Sequence, residues 1–92
     1  MLYIRLCVDK PGTEELRNLH RGAHREYLAS GVAKLVQAGP LMSSDDTRNV
    51  GSFMVVEADS LAAVQRFHDN DPFTVAGLFE ETRIHRWDKH LG

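Results

Sequence analysis

The sequence contains one cysteine, Cys7, so no disulfide can form within the chain, and a reducing, cytoplasmic setting is the expectation. No apolar stretch approaches the ~18 residues that would span a bilayer, so no membrane association is expected. Met1-Leu2-Tyr3-Ile4-Arg5 runs straight into a strand pattern and lacks a signal-peptide layout. Basic residues are not massed anywhere. The 11 Lys and Arg are scattered among 13 Asp and Glu, for a formal charge of −2, which leaves no footprint for nucleic acid. There is no Cys-x-x-Cys. His20 and His24 lie one helical turn apart, but no acidic residue completes an H-E-x-x-H arrangement, so no metal is expected. Repeats, low-complexity tracts and linkers are absent too.

What remains is one domain of 92 residues with an ordinary soluble composition, 42% hydrophobic and 26% charged. A chain this short buries only ~60–65% of its unfolded surface, so association with a second copy is plausible from size alone.

Leu2 to Val8 alternates as a strand, with Leu2, Ile4, Leu6 and Val8 on an apolar face and Tyr3, Arg5 and Cys7 on a mixed one. Asp9-Lys10-Pro11-Gly12 is a turn. Thr13 is the expected N-cap of a helix from about residue 14 to 30, with Glu14 and Glu15 at its positive end and Gly31 as its stop. Leu16, Leu19, Ala23 and Tyr27 form its apolar stripe, with His20 at the edge and His24 on the shoulder. Gly22 falls mid-helix without an evident reason. Residues 32–41 and 51–58 are further strands, the second apolar on both faces and therefore central. A polar connection, residues 43–49, joins them. Asp59-Ser60 caps a second helix, Asp71-Pro72 opens a short turn or helix, and residues 78–87 form the last strand.

The order β-α-β-β-α-β predicts an α+β, ferredoxin-like fold: a four-stranded antiparallel sheet with both helices on one face. The expectation for the bare face is Tyr3, Arg5 and Cys7 from the first strand and Ser52, Met54 and Val56 from the third. A second copy would cover it, enclosing a cavity between the two sheets that serves as the site.

Two residues carry the chemistry. His24 and Asp71, if brought together, make an acid/base pair suited to neutral pH, the carboxylate orienting the imidazole and favouring its charged form. Asp71 before Pro72 is also a helix N-cap. The roles are compatible, since one oxygen can cap while the other meets a histidine. Arg5 either bridges to an internal carboxylate or awaits an anionic ligand. Cys7, mid-strand, is expected as a small buried hydrophobe, and His68, His85 and His90 as surface or tail residues.

Met1-Leu2-Tyr3, Arg21-x-x-His24, Gly31, Ala38-Gly39-Pro40-Leu41, Gly51-Ser52, Asp71-Pro72-Phe73, Ala76-Gly77 and Trp87 form an ordered set. In that set the chain resembles the YciI-like (YCII-related) family of the dimeric α/β-barrel superfamily over nearly its whole length. Relatives often have Pro where this chain has Gly22. The resemblance implies a subunit that forms a homodimer through its open sheet face, an active site pairing His24 with Asp71, and Ser52 in the pocket. A related protein eliminates chloride from a chlorinated hydroxyquinone, and similar barrels host muconolactone isomerases and small monooxygenases. The expectation is a cofactor-free enzyme that eliminates, isomerises or hydrolyses a small cyclic, phenolic or acidic metabolite. His24 and Asp71 would be catalytic, with Ser52 and Arg5 binding substrate. The alternative is a non-catalytic domain that holds a metabolite in the same cavity.

Overall fold

The alternation of the first segment is realised as β1 (Leu2–Asp9) in the computed structural model, which describes Met1–Gly92. It is followed by α1 (Glu14–Ala29), β2 (Lys34–Met42), β3 (Asn49–Glu57), α2 (Leu61–Asn70), a single turn α3 (Pro72–Val75) and β4 (Phe79–Trp87). The sheet is antiparallel throughout in the order β2-β3-β1-β4, so β1 and β3 are the central strands. This is the ferredoxin-like α+β arrangement.

Local chemistry explains the boundaries. Gly31 sits at φ +79°, the left-handed position that ends α1. Ser60 caps α2 by accepting from the Ala63 N–H at 3.1 Å. Thr13 precedes α1 without capping it; its hydroxyl donates instead to the Lys10 carbonyl in the turn behind. The 43–48 connection is tied down by Asp45, which accepts from Ser43 and Thr47, and by an Arg48–Glu14 ion pair at 2.9 Å. Those hydrogen bonds hold the exposed Asp45 carboxyl down at about 2.

The faces of the sheet are reversed relative to the sequence expectation. Tyr3, Arg5 and Cys7, with their β3 partners Val56, Met54 and Ser52, lie buried beneath the helices. Leu2, Ile4, Leu6 and Val8 occupy the bare face with Phe53 and Val55. Alternation defines two faces without saying which one the helices cover. Here the mixed face is buried because α2 supplies Val64 and Phe67 to pack with Tyr3, Met54 and Val56, and the α2–α3 junction supplies a counter-charge to Arg5.

Helix α1 is rotated in the same sense. Its buried residues are Arg17 and His24, whereas Leu19, expected in the packed stripe, is 75% exposed and Ala23 is also exposed. A polar helix face can be buried when the layer beneath it satisfies each group. Arg17 illustrates this: it donates to both Asp9 oxygens at 2.7 and 3.0 Å and to the Gly51 carbonyl at 3.0 Å. Gly51 lies so close to β1 that a Cβ there would collide with the Cys7 carbonyl oxygen.

Candidate active site

Asp71 terminates α2 and caps α3, and that double duty fixes its carboxylate. Pro72 occupies the first helical position, and Asp71 Oδ1 accepts from the Phe73 N–H at 2.9 Å. The same oxygen meets His24 Nδ1 at 2.7 Å, while Oδ2 meets Arg5 Nη2 at 2.8 Å. Cap and histidine therefore share one oxygen, and the other is taken by a guanidinium. Both Arg5 and Asp71 are 0% exposed. Burial alone would push the Asp71 carboxyl up. The His24 hydrogen bond, the Arg5 charge and the Phe73 N–H outweigh it and hold the group below its ordinary range.

Arg5 is closed off from any hollow. Its guanidinium lies between the Phe67 and Phe79 rings, 5.4 Å from each centroid, and Nε donates to Cys7 Sγ at 3.2 Å. Of the two roles open in the sequence, the internal bridge is the one seen. Nη1 is buried without a partner. Cys7 is fully buried among these groups.

His24 is 8% exposed and stacks on Phe73 with ring centroids 4.0 Å apart and planes inclined at 16°. Arg17 approaches the Phe73 ring as well, at 4.8 Å. The imidazole is thus held by a hydrogen bond in its plane and by an aromatic ring on its face. A carboxylate partner requires Nδ1 to carry the proton, so the neutral ring presents a bare Nε2. Nε2 makes no hydrogen bond within the chain, and His24 lines a hollow of about 190 Å³ between α1 and the β2–β3 edge. Ser52, Asn49, Ala38, Gly39 and Pro40 line the same hollow.

His24, Asp71, Ser52 and Arg5 are therefore all on the helix-covered side, and the hollow is not the space expected between two facing sheets. His24, Asp71 and Arg5 form one bonded chain. Ser52 shares the hollow with His24, and Arg5 reaches it only through Asp71. Sequence reasoning missed Arg17 and the ring of Phe73. It also misplaced His68, which is buried, stacks on Phe79 at 6.1 Å and is pushed down by burial and by the Arg5 charge. The visible signal for Arg17 was its place in a four-residue series, Arg17, Arg21 and Arg25, on the helix that carries His24.

The YCII-related domain model matches residues 1–88. The chain belongs to that family. It is 32% identical to the protein YciI of Escherichia coli O6:H1, with 97% of this chain and 98% of that protein covered. Among solved structures it is similar to the 5-chloro-2-hydroxyhydroquinone dehydrochlorinase of Burkholderia phenoliruptrix AC1100, in complex with 2,5-dihydroxybenzoquinone. The TM-score is 0.89 at 38% identity, over 98% of this chain and 96% of that one. An antibiotic biosynthesis monooxygenase structure matches at TM-score 0.60 and 13% identity, covering 99% of this chain and 100% of that one, a likeness of fold alone.

Proposed function

We propose that this chain is a small-molecule enzyme working by proton transfer, with His24 as the base and acid and Asp71 as the residue that orients it. One observation carries the reading: His24 Nδ1 is bound at 2.7 Å to a wholly buried carboxylate, while its other nitrogen borders a hollow. The hollow's ~190 Å³ suits a single ring, since a cavity of ~150 Å³ already accepts benzene. Ser52 offers a hydroxyl to a ring oxygen.

Similarity to the dehydrochlorinase supports elimination as the reaction type. From a chlorinated trihydroxybenzene, a proton moves from a hydroxyl to the chlorine-bearing carbon. A second hydroxyl then loses its proton as the C–Cl electron pair departs with chloride. The net change is loss of HCl, leaving a quinone without an external oxidant. The first step needs a group that takes a proton and returns it to carbon, and the second needs the same group to take the hydroxyl proton as chloride leaves, a role worth ~10²–10⁴ in rate.

The test is chloride release from 5-chloro-2-hydroxyhydroquinone and related single-ring chlorophenols, by wild type and by His24→Gln. Turnover should fall ~10²–10⁴-fold in the variant with its thermal midpoint kept. Equal rates in both proteins, or binding without turnover in either, would refute the reading.

The bare sheet face supports an assembly. Leu2, Ile4, Leu6, Val8 and Phe53 form a half-buried apolar surface across β1 and β3, continued by Trp87 at the end of β4 and bordered by Glu81, Arg83 and His85 along that edge strand. A second copy placing the same face against it would cover both. In that arrangement the hollows beside His24 stay on the outer, helix-bearing sides.

A further inference from the structure

We infer that the ligand of the His24 hollow is an oxyanion-bearing ring, a ring carboxylate or an ionised ring hydroxyl, gripped by Arg21 and Arg25. This rests on the single-ring reading above and adds the charge of the substrate and the residues that select it.

The hollow is lined by Arg17, Arg21, Arg25 and His24, and no Asp or Glu is among its lining residues. The chain as a whole has a formal charge of −2, so this concentration of cations is local. The three arginines recur every fourth residue on α1 and therefore lie on successive turns of one face. Like charges at that spacing repel, so helix stability does not explain the run. Arg17 is committed to Asp9 and the Gly51 carbonyl. Arg21 and Arg25 have no carboxylate within 4.0 Å and donate no hydrogen bond within the chain.

Position gives the pair its meaning. Arg25 follows His24 directly and Arg21 lies one turn before it, so two uncommitted guanidiniums flank the imidazole at the mouth of the hollow. A guanidinium's planar fork suits a carboxylate or an enolate oxygen pair. On the opposite wall, the Ser52 hydroxyl and the Asn49 amide can meet neutral ring oxygens. A ring anchored through its anionic edge by Arg21 and Arg25 would turn its reacting edge toward His24 Nε2.

The test is calorimetric binding of 2,5-dihydroxybenzoquinone, a vinylogous acid ionised at neutral pH, against its neutral dimethyl ether. Benzoate and inorganic phosphate serve as further arms. The ionised quinone should bind at least about tenfold more tightly than the ether. Arg21→Gln and Arg25→Gln should each weaken the anion about tenfold and leave the ether unchanged. Equal affinity for anion and ether, an anion indifferent to both Gln variants, no binding by any anion, or phosphate binding as tightly as the ring anions would overturn it. His24→Gln separates this inference from the proposed function. If that variant keeps both anion binding and turnover, the proton-transfer role falls and the charge selection stands. If it abolishes turnover while anion and ether bind alike, only the charge selection falls.

Discussion

Beneath the helices, the sheet presents Arg5 and Ser52, and the helices lower Arg17, His24 and Asp71 onto it, nearly all hydrogen-bonded and walled by Phe67, Phe73 and Phe79. Across the same strands, one residue along, the bare face carries Leu2, Ile4, Leu6, Val8, Phe53 and Val55. The covered face sets buried charge beside the apolar core of Tyr3, Met54, Val56, Val64 and Phe67, whereas the uncovered face is aliphatic on β1 and β3 and carries Glu81, Arg83 and His85 only along the edge strand β4. The contrast teaches that the two faces do different jobs. Buried polar groups, each held by the others, fix the geometry around His24, and the opposite face is the one proposed for association.

The largest effect should come from breaking the covered face at its centre. Asp71→Ala leaves the Arg5 guanidinium buried without its counter-ion and removes the cap of α3. Unfolding stability should drop by ~3–5 kcal/mol, measured by urea denaturation. A loss below ~1 kcal/mol would mean that this network contributes little to the fold.

Next comes the bare face. Leu6→Lys places an ammonium in the centre of the proposed contact, where an unpaired charge costs several kcal/mol. Self-association should weaken by ~10²-fold or more by analytical ultracentrifugation, with the His24 side unaffected. An unchanged association constant would put the contact elsewhere.

Acid should act chiefly on the covered face, with the exposed Asp45 loop loosening as well once pH falls below ~4. Asp71 is held below its ordinary range, so its stabilisation is present above ~4, the unfolded carboxylate value, and is lost as pH falls through the folded one. His68 is also pushed down, because burial and Arg5 disfavour its charged form. Its stabilisation is present above ~6.5 and declines as pH falls below that. The thermal midpoint should therefore decline first below ~6.5 and again below ~4. His68→Gln should flatten only the upper limb. A midpoint unchanged from pH 7 to pH 5 would contradict the His68 assignment.

The smallest effect touches neither face. A Cβ at Gly22 meets open space on the exposed side of α1, so Gly22→Ala should add up to ~1 kcal/mol to stability in the same urea titration. A loss would mean that the glycine has a packing role on that side.

Much of this was legible in the residues. Element order, the antiparallel sheet, the stop at Gly31 and the Asp71-Pro72 cap follow from periodicity and turn chemistry, and they bring positions 24 and 71 together. Facial parity was not legible. In β1 both alternating sets can be buried, and the choice depends on a carboxylate 66 positions away from Arg5. The rotation of α1 was hidden for the same reason. A hydrophobic stripe marks the inner face of a helix only when the layer below offers nothing polar, and here Asp9, Gly51 and Asp71 offer partners to Arg17 and His24. His68 looked like a surface residue because nothing nearby in sequence announces Phe79 or the buried Arg5.

The most direct measurement of the central claim is the tautomer of the neutral His24 ring, read from nitrogen chemical shifts in a histidine-labelled sample. The account predicts that Nδ1 holds the proton, hydrogen-bonded to Asp71, and that Nε2 is bare toward the hollow. A ring protonated on Nε2, with no hydrogen bond from Nδ1 to the carboxylate, would contradict it.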